Sequence, residues 1–316
     1  EISENNSYNH LIKKIFSRFK MLSPMKKILL YIFFAIFIQI VSIQSSEAIR
    51  IGLNIDVKQS YFGTSSEGVI YDEKKNKPIF KTKKMQPYAI KAHGNSIAIK
   101  IDNKFYDLGT NYIKVKPASK DDFVATKNRW YRGELIIYNY NKKLTVINRL
   151  PIELYLLGVV PSEMPSSWNK EAHKAQAIAA RSYAVANLNK RGSKGYDLVD
   201  TPLDQAYGGA SAENRKTNQA VVDTRGIVIT YKGKVIPAYY HASSGGRTVN
   251  SGAAWAYNAP YLHSVKAYDD GIRKNGHGVG MSQHGANNLA NKGYSAYDIL
   301  KYFYKDISFS KISTSD

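Results

Sequence analysis

The chain contains no cysteine among its 316 residues. A disulfide framework and a cysteine-ligated zinc site are therefore both excluded. Acidic residues are also scarce, because 25 Asp and Glu stand against 45 Lys and Arg and give a formal net charge of +20. A charge of this size attracts polyanions, which include nucleic acid, anionic lipid and an acidic cell wall. Composition alone does not choose among these three classes of partner.

Long apolar runs are missing apart from one short stretch near the N-terminus. Met25 and two lysines precede an apolar run over residues 28–41, and small residues lead up to a cleavage point after Ala48. Residues 25–48 therefore predict a secretory signal peptide, with an uncleaved membrane anchor over residues 25–43 as the alternative. We expect export to the periplasm or cell envelope. Export argues against nucleic acid as the partner and limits membrane contact to this segment.

Two kinds of periodicity divide the rest of the sequence, and neither an internal repeat nor a low-complexity tract interrupts them. Short alternating β-type runs come first, and strand runs mixed with helical patterns follow. The clearest early strands are predicted at residues 49–57, 68–71, 88–91, 97–101 and 112–115. The sequence predicts an α+β fold with a polar extension at 1–24, the signal or anchor at 25–48, a β-rich region at 49–125, a mixed domain at 126–309 and a tail at 310–316.

A lysine-dense segment interrupts the β-rich region at residues 72–84. Like charges close together in sequence are most simply a solvated loop. Binding to an acidic wall is the alternative interpretation of this segment.

One carboxylate stands alone in an apolar stretch ahead of a long helical pattern. Glu163 lies between Pro161 and Pro165, which fix their own φ and bias the preceding residues away from helical geometry. We therefore expect Glu163 on a stiff turn. Apolar neighbours such as Val159 and Met164 disfavour the charged carboxylate, and a raised pKa suits a general acid near neutral pH.

An alanine-rich helix is predicted directly after this turn, capped by Ser166 or Ser167. Its stripe of small side chains permits close packing, so we expect the helix to be buried behind the active surface. Arg181 and Tyr183 need partners on a buried helix, and Glu163 is the candidate partner for one of them. Glu163 is therefore either a catalytic acid or the structural partner of Arg181.

Histidines and serines gather in two turns late in the chain. A predicted hairpin delivers His241 into a turn with Ser243 and Ser244, and a glycine-rich segment carries His277 and His284. No G-x-S-x-G elbow surrounds the serines, so a hydrogen-bonding turn that lines a cleft is favoured over a nucleophile. No HExxH or comparable spacing supports a metal site, and none is predicted, with a histidine-only zinc site as the open alternative.

Aromatic residues could serve either the core or a ligand. Flat apolar faces with polar edges suit sugar rings, and they suit a packed core equally well. The candidates are Tyr183, Tyr207, Tyr239, Tyr240 and Trp255.

Four segments in fixed order resemble the SpoIID/LytB domain family. They are VVPSEMPSSWNKEAHKAQAIAARSYA, TPLDQAYGG, YYHASSGG and GHGVGMSQHGA, and the resemblance covers residues 129–307. It implies that the mixed domain is catalytic, with Glu163 as its essential glutamate and the long helix behind a glycan-binding cleft. For the substrate cleft it implies Arg181, Tyr183, Gln205, Tyr207, His241, Ser243, Ser244, His277 and Gln283.

This chain departs from the family pattern at three points. It lacks the cysteines with which some relatives hold a structural zinc, so zinc is not carried over. Arg273-Lys274-Asn275 replaces a glycine-rich lead-in, and His284 stands where an aromatic residue is frequent. These departures bear on the fit of the substrate more than on the glutamate.

The resemblance implies a reaction that needs one carboxylate. A glycoside hydrolase ordinarily uses a second one, whereas a lytic transglycosylase uses the 6-hydroxyl of the muramic acid as the nucleophile. Glu163 would protonate the glycosidic oxygen and then accept the proton of that hydroxyl, which leaves a 1,6-anhydro end. The expected partner is a peptidoglycan glycan strand, intact or denuded of stem peptides, and no cofactor is expected.

Two rival functions use the same cleft without catalysis. LytB-type relatives imply a wall-binding protein that enhances a separate cell-wall amidase. A wall-organising scaffold would show neither bond cleavage nor amidase stimulation.

Overall fold

The computed structural model describes residues 48–314. The predicted extension at 1–24 and the predicted signal or anchor lie outside the described residues, apart from Ala48. Within the described part of the chain, no helix is both long and apolar enough to span a bilayer.

Strands dominate the first half of the described chain and helices the second, which confirms the predicted α+β fold with a β-rich N-terminal part. The strands are β1 (Ile49–Val57), β2 (Gln59–Thr64), β3 (Gly68–Asp72), β4 (Lys77–Thr82), β5 (Tyr88–His93), β6 (Ser96–Ile101), β7 (Lys104–Asp107), β8 (Tyr112–Pro117), β9 (Val124–Thr126), β10 (Arg129–Tyr131), β11 (Glu134–Tyr140), β12 (Lys143–Leu150), β13 (Leu198–Val199), β14 (Ile227–Tyr231), β15 (Lys234–Val235), β16 (Tyr240–His241), β17 (Met281–Ser282) and β18 (Ser308–Lys311). The α-helices are α1 (Ile152–Glu163), α2 (Lys170–Ala186), α3 (Arg215–Asp223), α4 (Ser251–Ala254), α5 (Gln283–Asn291) and α6 (Ala296–Phe303).

Two large sheets form the β-rich part. One has the strand order β13-β1-β12-β11-β8-β3-β4 and the other β10-β9-β2-β5-β6-β7. Buried residues alternate with more exposed ones along β3 and β8, as the period of two predicts. Ile70, Ile90, Val115 and Ile137 share one buried core. Strands from both sides of the predicted boundary at residue 125 join the first sheet, because β1 pairs antiparallel with β12.

A second core surrounds α2, which packs against α3, α5, α6 and β14. The stripe of small side chains explains this close packing. Ala172, Ala175 and Ala179 are fully buried, whereas Ala186 at the end of the helix is exposed. The cap is Asn169, whose side chain accepts a hydrogen bond from Glu171 N–H at 2.9 Å, and not Ser166 or Ser167.

The lysine-dense segment at residues 72–84 contains a strand, so the prediction of a simple loop is wrong there. β4 forms one edge of the seven-stranded sheet and pairs with β3. Pro78 and the neighbouring lysines suit that place, because proline cannot donate to a further strand and charge opposes pairing with another chain.

Glu163 is the last residue of a helix and does not lie on the expected turn. Pro161 occupies the last turn of α1, and the chain becomes extended only at Met164, with φ −130° and ψ 138°. The expected bias away from helical geometry in the residue before a proline therefore holds for Met164, which precedes Pro165. It does not hold for Val160, which precedes Pro161 and is helical. Val160 is fully buried in the core, and such tertiary packing outweighs a local backbone preference.

Arg181 pairs with Glu153, so the alternative in which Glu163 is its structural partner is wrong. Its Nε and Nη2 donate to the two Glu153 carboxylate oxygens, each at 2.8 Å, and its side chain is 0% exposed. Glu153 lies at the start of α1 and Glu163 at its end, a separation of about 15 Å along the helix axis. The packing of α1 on α2 therefore places Arg181 at the end of α1 remote from Glu163.

We predict that Arg181→Met lowers the free energy of unfolding by about 3–5 kcal/mol, because it leaves the Glu153 carboxylate buried without its counter-charge. Urea denaturation followed by circular dichroism measures the loss. The double variant Arg181→Met/Glu153→Leu should recover part of it, because both charges are then removed.

Lys75→Ala is the matched control. Lys75 pairs with Asp72 at 3.7 Å, but its side chain is 73% exposed, so the loss should stay below about 1 kcal/mol. Similar losses for Lys75→Ala and Arg181→Met would contradict the assigned role of the buried pair.

Candidate active site

The Glu163 carboxylate is partly buried and accepts three hydrogen bonds. Ala206 N–H donates to Oε1 at 2.7 Å, and the Tyr240 hydroxyl donates to the same oxygen at 3.3 Å. Gln283 Nε2 donates to Oε2 at 3.0 Å. The donors come from three separate segments, the loop after β13, strand β16 and the first turn of α5. All three are uncharged.

Burial raises the pKa of Glu163, and the three hydrogen bonds lower it by a smaller amount. The net shift is upward, in agreement with the prediction from the apolar flank. The physical cause is desolvation, which disfavours the charged form. The site therefore favours a protonated carboxyl group but still offers the carboxylate three donors.

Tyr240 is itself fixed by a second layer of hydrogen bonds. Gln205 Nε2 donates to the Tyr240 hydroxyl at 2.8 Å, and the Tyr155 hydroxyl donates to Gln205 Oε1 at 3.3 Å. Gln205 is fully buried. Because the Tyr240 oxygen accepts from Gln205, its own proton is directed to Glu163.

A short parallel sheet brings the two glycine-rich turns together. β16 pairs with β17, so that Tyr240 lies opposite Met281 and His241 opposite Ser282. Gly280 has φ +73°, and a Cβ at this position would lie 2.1 Å from the Tyr239 carbonyl oxygen. Only glycine allows this approach. The pairing places the Tyr240 and Gln283 side chains on the same carboxylate.

His241 is buried beside this sheet and is held from both ring nitrogens. Nδ1 donates to the Val279 carbonyl at 3.1 Å, and Nε2 accepts from Ser244 Oγ at 2.6 Å. Burial lowers the pKa of His241 to about 4, and the nearby His277 adds to the shift. A neutral imidazole of this kind braces the turn.

The serines of the turn also make structural hydrogen bonds. Ser243 Oγ donates to the Arg273 carbonyl at 2.6 Å. The Asp269 carboxylate accepts from Ser244 N–H at 2.5 Å and from Ser282 Oγ at 2.6 Å. These contacts support the interpretation of a hydrogen-bonding turn.

His277 lies among aromatic rings. Its ring centroid is 5.1 Å from that of Trp255 and 6.1 Å from that of Tyr239. The Tyr239 ring also packs near two other aromatic rings. Its centroid is 4.6 Å from that of Trp255 and 5.7 Å from that of Tyr183. No group of three or more His, Asp or Glu side chains suited to a metal ion occurs between residues 48 and 314.

The structure separates the predicted cleft residues into two groups. Gln283 contacts Glu163 directly, Gln205 does so through Tyr240, and His241 follows Tyr240 on β16. Ser244 and His277 lie beside His241, and Ser243 belongs to the same turn. Tyr183, Tyr207 and Arg181 are engaged elsewhere. Tyr183 donates to Asp204 at 3.1 Å, Tyr207 donates to Asn148 at 2.8 Å, and Arg181 is held by Glu153.

Two of the donors to Glu163 were not recognised as such from the sequence. Tyr240 appeared only as one of several aromatic faces, although its position directly before His241 in YYHASSGG was a usable signal. Ala206 contributes a backbone N–H, which no residue type reveals.

These features define an α+β protein in which a partly buried carboxyl group with a raised pKa is held by uncharged donors, an arrangement suited to acid–base chemistry. Residues 140–231 match the family model described as Stage II sporulation protein. Together with the relatives described next, this match supports the resemblance to the SpoIID/LytB family.

Three relatives illustrate the similarity. An uncharacterized protein of Brachyspira hyodysenteriae is 35% identical over 187 residues, which cover 58% of this chain and 50% of that protein. Stage II sporulation protein D of Bacillus amyloliquefaciens is 29% identical over an alignment of 260 residues. The alignment covers 52% of this chain and 76% of the relative. An amidase enhancer of Bacillus subtilis is 44% identical over 115 residues, or 36% of this chain and 15% of the relative. The chain thus spans half the length of the first of these relatives.

We predict that Gln283→Leu raises the pKa of Glu163 further, because it removes a hydrogen bond that stabilises the carboxylate. A carbon-detected NMR titration of the Glu163 carboxyl group measures its pKa in the parent and in Gln283→Leu. Gln219→Leu is the matched control, because Gln219 is exposed on α3 and bonds only to Asp223. A pKa in the parent at or below that of free glutamate, or no change in Gln283→Leu, would contradict the assignment.

Proposed function

We propose that this protein is a peptidoglycan lytic transglycosylase in which Glu163 acts first as general acid and then as general base. The observation that carries the proposal is the Glu163 carboxyl group, partly buried with three uncharged donors and no counter-ion among its hydrogen-bond partners. The match of residues 140–231 to the Stage II sporulation protein family model, and the similarity to the relatives named above, support a cell-wall role.

The proposed reaction cleaves the glycosidic bond without water. Protonated Glu163 donates its proton to the glycosidic oxygen as the bond from that oxygen to the anomeric carbon breaks. The resulting carboxylate accepts the proton of the muramic 6-hydroxyl, whose oxygen forms the new bond to the anomeric carbon. The proton count closes, because Glu163 regains the proton that it gave.

The environment of Glu163 supports both roles. Burial keeps the carboxyl group protonated to a higher pH than in water, as the acid step requires. Ala206, Tyr240 and Gln283 then stabilise the carboxylate that exists between the two steps. A charged donor would favour the carboxylate more strongly and weaken the acid.

A second candidate function is supported by the comparison with the Bacillus subtilis protein named an amidase enhancer. In that case the chain would bind glycan strands and act on a separate cell-wall amidase, and Glu163 would only hold the cleft together. Both functions place the protein outside the cytoplasm. That location is itself part of the proposal and rests on the sequence pattern at residues 25–48.

We predict that Glu163→Gln reduces the formation of anhydro-muramic ends by about 10²–10⁴-fold, the usual contribution of a general acid–base group. The assay incubates the chain with purified glycan strands, intact and denuded, and reads the products by mass spectrometry. Glu67→Gln, at an exposed position, is the matched control and should match the parent.

Two other outcomes of this assay would replace the proposal. Products that carry an added water would make the protein a hydrolase that needs a second carboxylate. Binding of the strands without cleavage by the parent, together with stimulation of an amidase, would replace the proposal by the enhancer function.

The pH dependence of kcat/KM offers a separate prediction. Catalysis begins from protonated Glu163, so kcat/KM should fall as the pH rises through the pKa of that group. Tyr240→Phe removes a hydrogen bond to the carboxylate, raises the pKa, and should move this fall to higher pH. Tyr140→Phe, with its ring 69% exposed on the β11–β12 hairpin, should not move it. A shift to lower pH in Tyr240→Phe would contradict the assigned contact.

A further inference from the structure

The outer face of the six-stranded sheet carries a groove of about 620 Å³, large enough for a small-molecule or oligomeric ligand. Gly63 and Ala125 are register partners on β2 and β9, and Trp130 is the next partner across on β10. Tyr61 lies two residues before Gly63 and so projects from the same face. Two aromatic side chains therefore flank a floor built from small residues.

Two of the exposed large apolar side chains lie together at this groove. Tyr61 is 57% exposed and Met85 is 59% exposed. Met85 lies in a turn with φ +59°. Its backbone N–H donates to the Thr64 carbonyl at 2.9 Å. A non-glycine residue in the left-handed region is uncommon, and exposed apolar groups that lie together mark binding surfaces more often than single ones do.

The polar groups of the groove are mainly amides. Gln59 Nε2 donates to the Tyr61 hydroxyl at 2.9 Å and fixes the edge of that ring. Asn54, Gln86 and Asn128 also line the groove. Among its described lining residues only Lys127 is charged, and that ammonium group is already taken by Asp200 at 2.7 Å. In a chain with a formal net charge of +20, the lining of this groove thus carries no unpaired charged side chain.

A continuous segment joins the groove to the candidate active site. Ala206 N–H donates to Glu163, and Ser211 Oγ accepts from Trp130 N–H at 2.9 Å. Gly209 packs under the Trp130 carbonyl, where a Cβ would lie 2.4 Å away. The backbone from Ala206 to Ser211 spans at most about 18 Å even when fully extended. A few sugar rings cover that distance.

We propose that this groove binds a stretch of the same glycan strand, a few sugars away from the bond that Glu163 acts on. Pyranose rings have apolar faces that stack on Tyr61 and Trp130, and their hydroxyl and N-acetyl groups match the surrounding amides. The absence of free charge among the lining residues disfavours a polyanion as the occupant. The identity of the ligand rests on the proposed function, whereas the location of the groove does not.

The test measures binding and not cleavage, so that it is independent of the proposed reaction. The full chain carrying Glu163→Gln is titrated with purified glycan strands and with a short fragment of two to four sugars. Tyr61→Ala and Trp130→Ala should each weaken the binding of long strands by about tenfold, the scale of a well-packed contact residue. Binding of the short fragment should equal that of the parent.

Tyr140→Ala is the matched control, because Tyr140 is a more exposed tyrosine on the other sheet. It should bind both ligands as the parent does. Tyr61 is exposed and makes no core contact, so Tyr61→Ala alone decides the matter if Trp130→Ala fails to fold.

Three results would overturn the proposal. The first is unchanged affinity of Tyr61→Ala for long strands. The second is an equal loss for long strands and short fragments, which would assign the groove residues to the Glu163 site itself. The third is loss of binding to a cell-wall amidase with glycan binding intact, which would identify a protein as the occupant. A parent that binds long strands but forms no anhydro ends would defeat the proposed reaction and leave this groove proposal standing.

Discussion

The desolvation of Glu163 in the absence of a charged partner is the constraint on which the rest of the site depends. Its three donors belong to segments that are far apart in sequence, so α1, the loop after β13 and the β16–β17 pair must converge on one point. Each donor alone is a modest interaction. Together they let a buried carboxylate exist, while burial keeps its proton affinity high.

The basic character of the chain makes this arrangement demanding, because a nearby ammonium or guanidinium group would stabilise the carboxylate and lower its pKa. Arg181 is the buried cation on the helix behind the site, and Glu153 neutralises it at the opposite end of α1. The ion pair therefore does two things at once. It fixes α1 against α2, and it keeps a positive charge away from Glu163.

Much of the framework could be predicted from local pattern. Alternation located β1, β5, β6 and β8, and the isolated position of Glu163 between two prolines identified the candidate acid. The remainder depends on tertiary contacts. Val160 is helical because the core holds it so, the pairing of Arg181 is set by how two helices cross, and the Ala206 donor is a backbone group. The register across β2, β9 and β10 places Trp130 on the same sheet face as Tyr61, and a single sequence does not reveal it.

The edge strand β4 has a consequence for how the molecule behaves when many copies share one surface. An unpaired sheet edge is a template on which another copy can add its own strand. Pro78 withholds a backbone donor at that edge, and the flanking lysines repel the same edge of a second molecule. Copies that are crowded together can therefore stay separate folded units, without pairing from sheet to sheet.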